Sequence, residues 1–176
     1  MSFAICIKLL PFMFLPFLIK RLGIKISALY FGCIVLLTTL FFAPFLSEEI
    51  FLNFFQSINL YFRQFEFNAS IFYIVRWVGF YTKGWNIIQT AGPVMSLIAA
   101  FTILFIAFRE RNVTTKSLLQ KMSIALLLYF GMATIIHPWY VTTLVAFTAF
   151  WKWRFPLVWS LLIPLSYFAY SNSNFY

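Results

Sequence analysis

The chain has 176 residues, of which 63% are aromatic or aliphatic and only 10% charged, a surface-to-core balance that excludes an ordinary soluble domain. Its formal charge of +9 would suggest nucleic acid in a soluble protein. Here the basic residues flank apolar runs, which points to loop anchoring at a cytoplasmic leaflet and away from nucleic acid.

Four runs carry no charge: residues 26–47, 84–108, 122–151 and 155–176. A helical span takes about 20 apolar residues. The runs are continuous and lack alternation, so they read as helices and not as barrel strands. The expected fold is an all-α, polytopic transmembrane bundle with one membrane domain over residues 1–176. Six apolar segments are predicted, at about 2–19, 26–46, 91–108, 122–136, 140–151 and 155–170.

The first segment, 2–19, holds Lys8 about midway and prolines at 11 and 16. A charge inside a span is costly and suggests function, although a lysine near a helix end can snorkel to the headgroups. Lys20, Arg21 and Lys25 then separate the first and second segments. Cys6 and Cys33 fall within segments and read as buried apolar side chains, with neither metal-ligand spacing nor a disulfide framework.

Residues 47–90 are too long for a plain connector. Phe51, Phe54, Phe55, Ile58, Tyr61, Phe62 and Phe65 share one helical face, and Asn53, Gln56, Ser57, Arg63 and Gln64 the other. That is the pattern of a helix lying in the membrane interface. A second short helix is predicted over 70–78, with Asn68 or Ser70 as N-cap and Gly79 near its end.

Arg109, Arg111, Lys116 and Lys121 follow the third segment, and Lys152 and Arg154 follow the fifth. Placing the three basic loops in the cytoplasm puts nine of the thirteen Lys and Arg inside, with Arg63, Arg76 and Lys83 outside. Residues 122–151 would be one long span but for His137-Pro138, where proline breaks the helix. Two short helices are expected, with His137-Pro138-Trp139-Tyr140 at an outer turn. Both ends of the chain then face away from the cytoplasm, and further spans are expected upstream of Met1.

The chain has no aspartate and four glutamates. Glu48 and Glu49 would mark the outer end of the second segment. Glu110 is expected to be solvated beside Arg109 or Arg111. Glu66 lies among aromatics and is either a functional carboxylate or half of an interfacial ion pair with Arg63 or Arg76. His137 is the one histidine; it is either structural or a phosphate contact. No metal site or cofactor motif is evident. Asn68-Ala69-Ser70 and Asn112-Val113-Thr114 match the glycosylation triplet, which is common by chance.

Lys8-Leu9-Leu10-Pro11 with Leu15-Pro16 and Lys20-Arg21, the stretch from Phe65 through Tyr73 with Arg76 and Gly79, and His137-Pro138-Trp139-Tyr140 together resemble polytopic GT-C glycosyltransferases. The nearest likeness is to the C-terminal part of bacterial mannosyltransferase-like members. The resemblance implies an inner-membrane enzyme that moves a sugar, such as mannose, from a polyprenyl-phosphate donor to a glycan or lipid acceptor outside the cytoplasm. It implies that Lys8, Arg76 and His137 contact the phosphate, that Glu66 and Asn68 position a sugar, and that Trp139 and Tyr140 line the lipid-sugar groove. Glu66 is the one candidate for a catalytic role. The acidic catalytic loop expected of that family has no counterpart here, so the piece alone is expected to be inactive. A transporter or lipid-flippase module and a non-catalytic membrane scaffold are the competing readings.

Overall fold

A computed structural model describes residues 1–111, 113–149 and 152–168. The described residues are helical and include no β-strand. Nine α-helices follow in chain order: α1 (Ser2–Ile7), α2 (Pro16–Leu22), α3 (Ile24–Phe42), α4 (Glu48–Arg63), α5 (Ser70–Lys83), α6 (Ile88–Arg109), α7 (Thr115–Met132), α8 (Pro138–Thr148) and α9 (Phe155–Leu162). Two stretches, Ile24–Phe45 and Ile88–Arg109, are long and apolar enough to cross a membrane.

The expected single span over 2–19 is corrected. It is three short pieces: α1, a 3-10 helix over Leu10–Phe14, and α2. Each of the two prolines starts a new piece, Pro11 near the start of the 3-10 helix and Pro16 as the first residue of α2. Proline fits a first turn, where no N–H is needed, and breaks an interior. Lys8 occupies the first break, in extended conformation. The break at His137-Pro138 forms as expected: α7 ends at Met132, and Pro138 opens α8.

Helix α4 begins where Ser47 caps it, its hydroxyl accepting from Ile50 N at 3.2 Å. Glu48 and Glu49 fill the first turn, opposite the positive end of the helix dipole. The expected bounds of α5 are corrected. It runs on to Lys83, and Gly84, at φ +80°, ends it in the left-handed conformation that glycine adopts without strain. Gly79 lies inside the helix, packed so closely on Ile87 that a Cβ would meet its side chain at 2.7 Å. Neither Asn68 nor Ser70 is the N-cap; Ala69 holds that position, and Asn68 bends the chain at φ +51°.

The main core joins α2, α6, α7 and α8 around the fully buried Phe17, Leu126, Phe130 and Val141. A second cluster packs Phe72 of α5 on Ile88, Ala91 and Met95 of α6. A third holds α1 to α3 through Ile5, Leu15 and Ile34. Most of α3 is uncovered, and Cys33 lies on its exposed surface, which corrects the expectation that it is buried.

The expectation for Glu110 is also overturned. It is 5% exposed and pairs with Arg21, not with Arg109 or Arg111. The two Arg21 terminal nitrogens donate to its two oxygens at 2.7 and 2.8 Å, Ser117 Oγ donates to Oε1, and Lys20 Nζ reaches the Glu110 carbonyl at 2.8 Å. The reason is topological. Helix α2 ends beside the end of α6, so a cation 89 positions away takes the carboxylate, while Arg109 lies over the Phe105 ring. Asn112, in the second glycosylation triplet, lies outside the described residues.

Candidate functional site

Helix α6 has 22 residues and is about 33 Å long. The Arg21–Glu110 pair marks one end of it. Toward the other end lie Glu66, which accepts from Asn86 just before α6, and Thr134, which packs on Gly92 and leads to His137.

Two irregular segments meet there. Phe67 forms a parallel bridge with Ile135: its N–H donates to the Thr134 carbonyl at 2.9 Å, and its carbonyl accepts from Ile136 N at 2.8 Å. Asn68 Nδ2 adds a 3.4 Å bond to the Ile136 carbonyl. These bonds satisfy backbone groups that neither helix can reach. They also bring the Glu66–Asn68 stretch against His137, whose ring centroid lies 5.4 Å from that of Phe67.

His137 sits in an aromatic box. Its ring stacks on Trp139 at 4.4 Å and meets Tyr140 edge-on at 5.4 Å. Its Nδ1 is buried without a hydrogen-bond partner. Burial, and then the charge of Lys8, hold its pKa below the ordinary value of 6.5, so the ring is neutral near pH 7. Trp139 is 53% exposed, so it presents open ring surface beside this box.

Lys8 comes from the first break in the chain. Its ammonium lies 4.5 Å from the centre of the Tyr140 ring, a cation–π contact. Among the described residues it has no carboxylate partner. It lines a cavity of about 410 Å³ together with Ser57, Tyr61, Tyr129 and Tyr140. A larger groove of about 750 Å³ runs below it between α2, α3 and α6. Its walls include Pro16, Ile19, Val35, Ala100 and Phe108, and it shares Leu9, Met13, Phe62 and Tyr129 with the Lys8 cavity.

Glu66 and Arg76 form the ion pair that the sequence left as one of two readings. The other Glu66 oxygen accepts from Asn86 Nδ2 at 3.1 Å, and Asn86 Oδ1 accepts from Ile88 N at 3.1 Å. The carboxylate therefore fastens α5 to the start of α6, and both its oxygens are engaged. Arg76 also lies over the Tyr73 ring at 4.8 Å.

Lys8, His137, Trp139 and Tyr140 thus converge directly, and Asn68 buttresses them through the Ile136 carbonyl. Glu66 and Arg76 share the same end but join the group only through Phe67. Sequence reasoning missed Tyr61 and Tyr129 as cavity residues. Tyr61 was counted only as part of an apolar face, and Tyr129 lies inside an uncharged run. Neither position carries a local signal.

Compared with known proteins, the chain matches no family model, no curated protein and no solved structure.

Proposed function

We propose that this chain is the lipid-binding part of a multi-pass membrane glycosyltransferase of the GT-C type, taking a polyprenyl-phosphate sugar as donor. One observation carries the reading: an apolar groove shares walls with a cavity that holds an ammonium without a carboxylate partner among the described residues. That pairing suits an amphiphile with an apolar tail and an anionic head. A soluble ligand would have little use for the groove, and a plain hydrocarbon would have none for Lys8.

The reading takes the six apolar segments as crossings, the first of them built from three short pieces. Arg21 and Glu110 tie two of the basic loops together at one end of α6, while Glu66 and Arg76 lie at the other, fastened through Asn86. Helix α6, about 33 Å long, matches a bilayer's hydrocarbon core. Lys8 and His137 then stand at outer headgroup depth, in a bacterial inner membrane. Helices α4 and α5 lie in the outer interface, with Phe51, Phe54, Phe55, Trp77 and Tyr81 exposed to it.

In the reaction the resemblance implies, an acceptor hydroxyl oxygen bonds to the sugar's anomeric carbon as the carbon–oxygen bond to phosphate breaks. The phosphate leaves with the electron pair, and a base takes the hydroxyl proton. Lys8 would offset the charge that grows on the leaving phosphate. Neutral His137 would donate a hydrogen bond from its open nitrogen, and Trp139 would stack on the sugar. Glu66, held by Arg76 and Asn86, is a positioning group; we assign the base to no residue of this chain.

The test is donor binding and transfer by the full-length protein in proteoliposomes, with mannosyl-phosphoprenol as probe. Lys8→Gln and His137→Ala should lower transfer by at least tenfold and leave insertion intact. Arg76→Ala should do the same through Glu66. Wild-type turnover in all three variants would sink the phosphate-contact idea. A flippase is the second reading, favoured by the breaks at Lys8 and Pro16 along an open groove. Lipid scrambling without sugar transfer would select it.

A further inference from the structure

The Lys8 cavity carries a second feature that the ammonium does not account for. Tyr61 of α4, Tyr129 of α7 and Tyr140 of α8 all line it, so phenols from three helices share one cavity wall. Phenol groups taken out of water need partners for their hydroxyls. Three lining one cavity offer hydroxyl donors that can turn toward an incoming oxygen. Burial, then the two neighbouring phenols, push the Tyr61 hydroxyl far above its ordinary range, so it keeps its proton and remains a donor.

We propose that Lys8 and the tyrosine hydroxyls form a seat for one phosphoryl group, in which Tyr61 is the specificity-determining residue supplied by α4. One ammonium with neutral O–H donors suits a single phosphoryl head better than a diphosphate, whose extra charge would lack a second cation. Helix α4 has no buried residue, and its Phe62 carbonyl packs against Gly92 of α6. Tyr61 is the neighbouring residue. An anion that draws the Tyr61 hydroxyl would therefore hold α4 over the cavity, so that seating the head also closes the wall. The proposal rests on the lipid-phosphate reading for the ligand's tail but not for its head.

The experiment measures binding of three probes to the whole chain in lipid nanodiscs: farnesyl phosphate, farnesol and inorganic phosphate. Tyr61→Phe keeps the ring and removes only the hydroxyl. It should weaken farnesyl phosphate by about tenfold, the effect of one hydrogen bond to a charged group, and leave farnesol unchanged. Tyr140→Phe should weaken farnesyl phosphate in the same sense while preserving the ring beneath Lys8. Equal farnesyl phosphate affinity in wild type and both variants would overturn the seat. So would equal losses for farnesyl phosphate and farnesol, because the hydroxyls would then serve packing alone. If neither prenyl probe binds the wild type but inorganic phosphate does, and Tyr61→Phe abolishes that binding, the seat stands and the lipid reading falls.

Discussion

The two ends of α6 treat charge in opposite ways. At the Glu110 end the carboxylate is fully engaged: Arg21 is bidentate to Glu110, Ser117 donates to the same carboxylate, and Lys20 takes the adjacent carbonyl. At the His137 end Lys8 faces a ring and a cavity, with no carboxylate partner among the described residues. A buried carboxylate with both oxygens engaged has no room for a ligand, so the pair serves the fold. An unmatched cation beside open volume leaves an anion to be supplied from outside.

The comparison breaks most visibly if the matched end is dispensable. Glu110→Ala strands a buried guanidinium, and we expect a loss of about 3–5 kcal/mol, read as a large drop in melting temperature in detergent. Replacing both partners with apolar residues of similar size should recover much of that loss. The sign with pH follows from the shifted carboxyl. Burial raises it, but hydrogen bonds from Arg21 and Ser117 and the Arg21 charge outweigh burial and hold it below its ordinary 4.5. The stabilisation is thus present above that value and is lost as pH falls through the lowered one. A Glu110→Gln protein whose acid unfolding matches wild type would remove the pair from the account.

The next largest effect concerns how α4 is held on α6 near the His137 end. A Cβ on Gly92 would lie 2.0 Å from the Phe62 carbonyl oxygen, a backbone atom that cannot rotate away. Gly92→Ala should therefore push α4 off α6, costing about 1–3 kcal/mol. It should also raise hydrogen exchange across α4 while leaving α7 protected. Unchanged exchange in α4 would show that its seat on α6 is looser than the structure implies.

Legibility in the sequence divides along the same line. Charge-free runs predict helices well because backbone polar groups in lipid have no partner but the chain itself. The His137-Pro138 break and the amphipathic α4 were readable for equally local reasons. The Glu110 pairing was not, because it joins positions 89 apart and local spacing favoured Arg109 and Arg111. Likewise Lys8, His137, Trp139 and Tyr140 stood out as a rare charge and a dense motif. Tyr61 and Tyr129 are ordinary residues in apolar stretches, and only the meeting of α4 with α7 makes them neighbours. The break of the first segment into three pieces lay between these cases: its prolines were visible, but whether they would kink a span or end it depended on packing.

The smallest effect tests the unmatched end most directly. His137 is the one histidine, so its titration by NMR is a single reporter beside the site. Its pKa is lowered first by burial and second by Lys8. The unfolded chain therefore binds the proton more readily, and this residue's contribution falls as pH drops below about 6.5. Lys8→Gln removes the repulsion and keeps the burial, so the midpoint should rise without reaching the ordinary value. Farnesyl phosphate, if its head seats on Lys8, should move the wild-type midpoint in the same direction, because an anion favours the protonated ring. In Lys8→Gln that ligand-induced shift should shrink with the lost affinity. A wild-type midpoint that ignores both the substitution and the ligand would mean that Lys8 and His137 do not share a site, and the contrast between the two ends would lose its functional half.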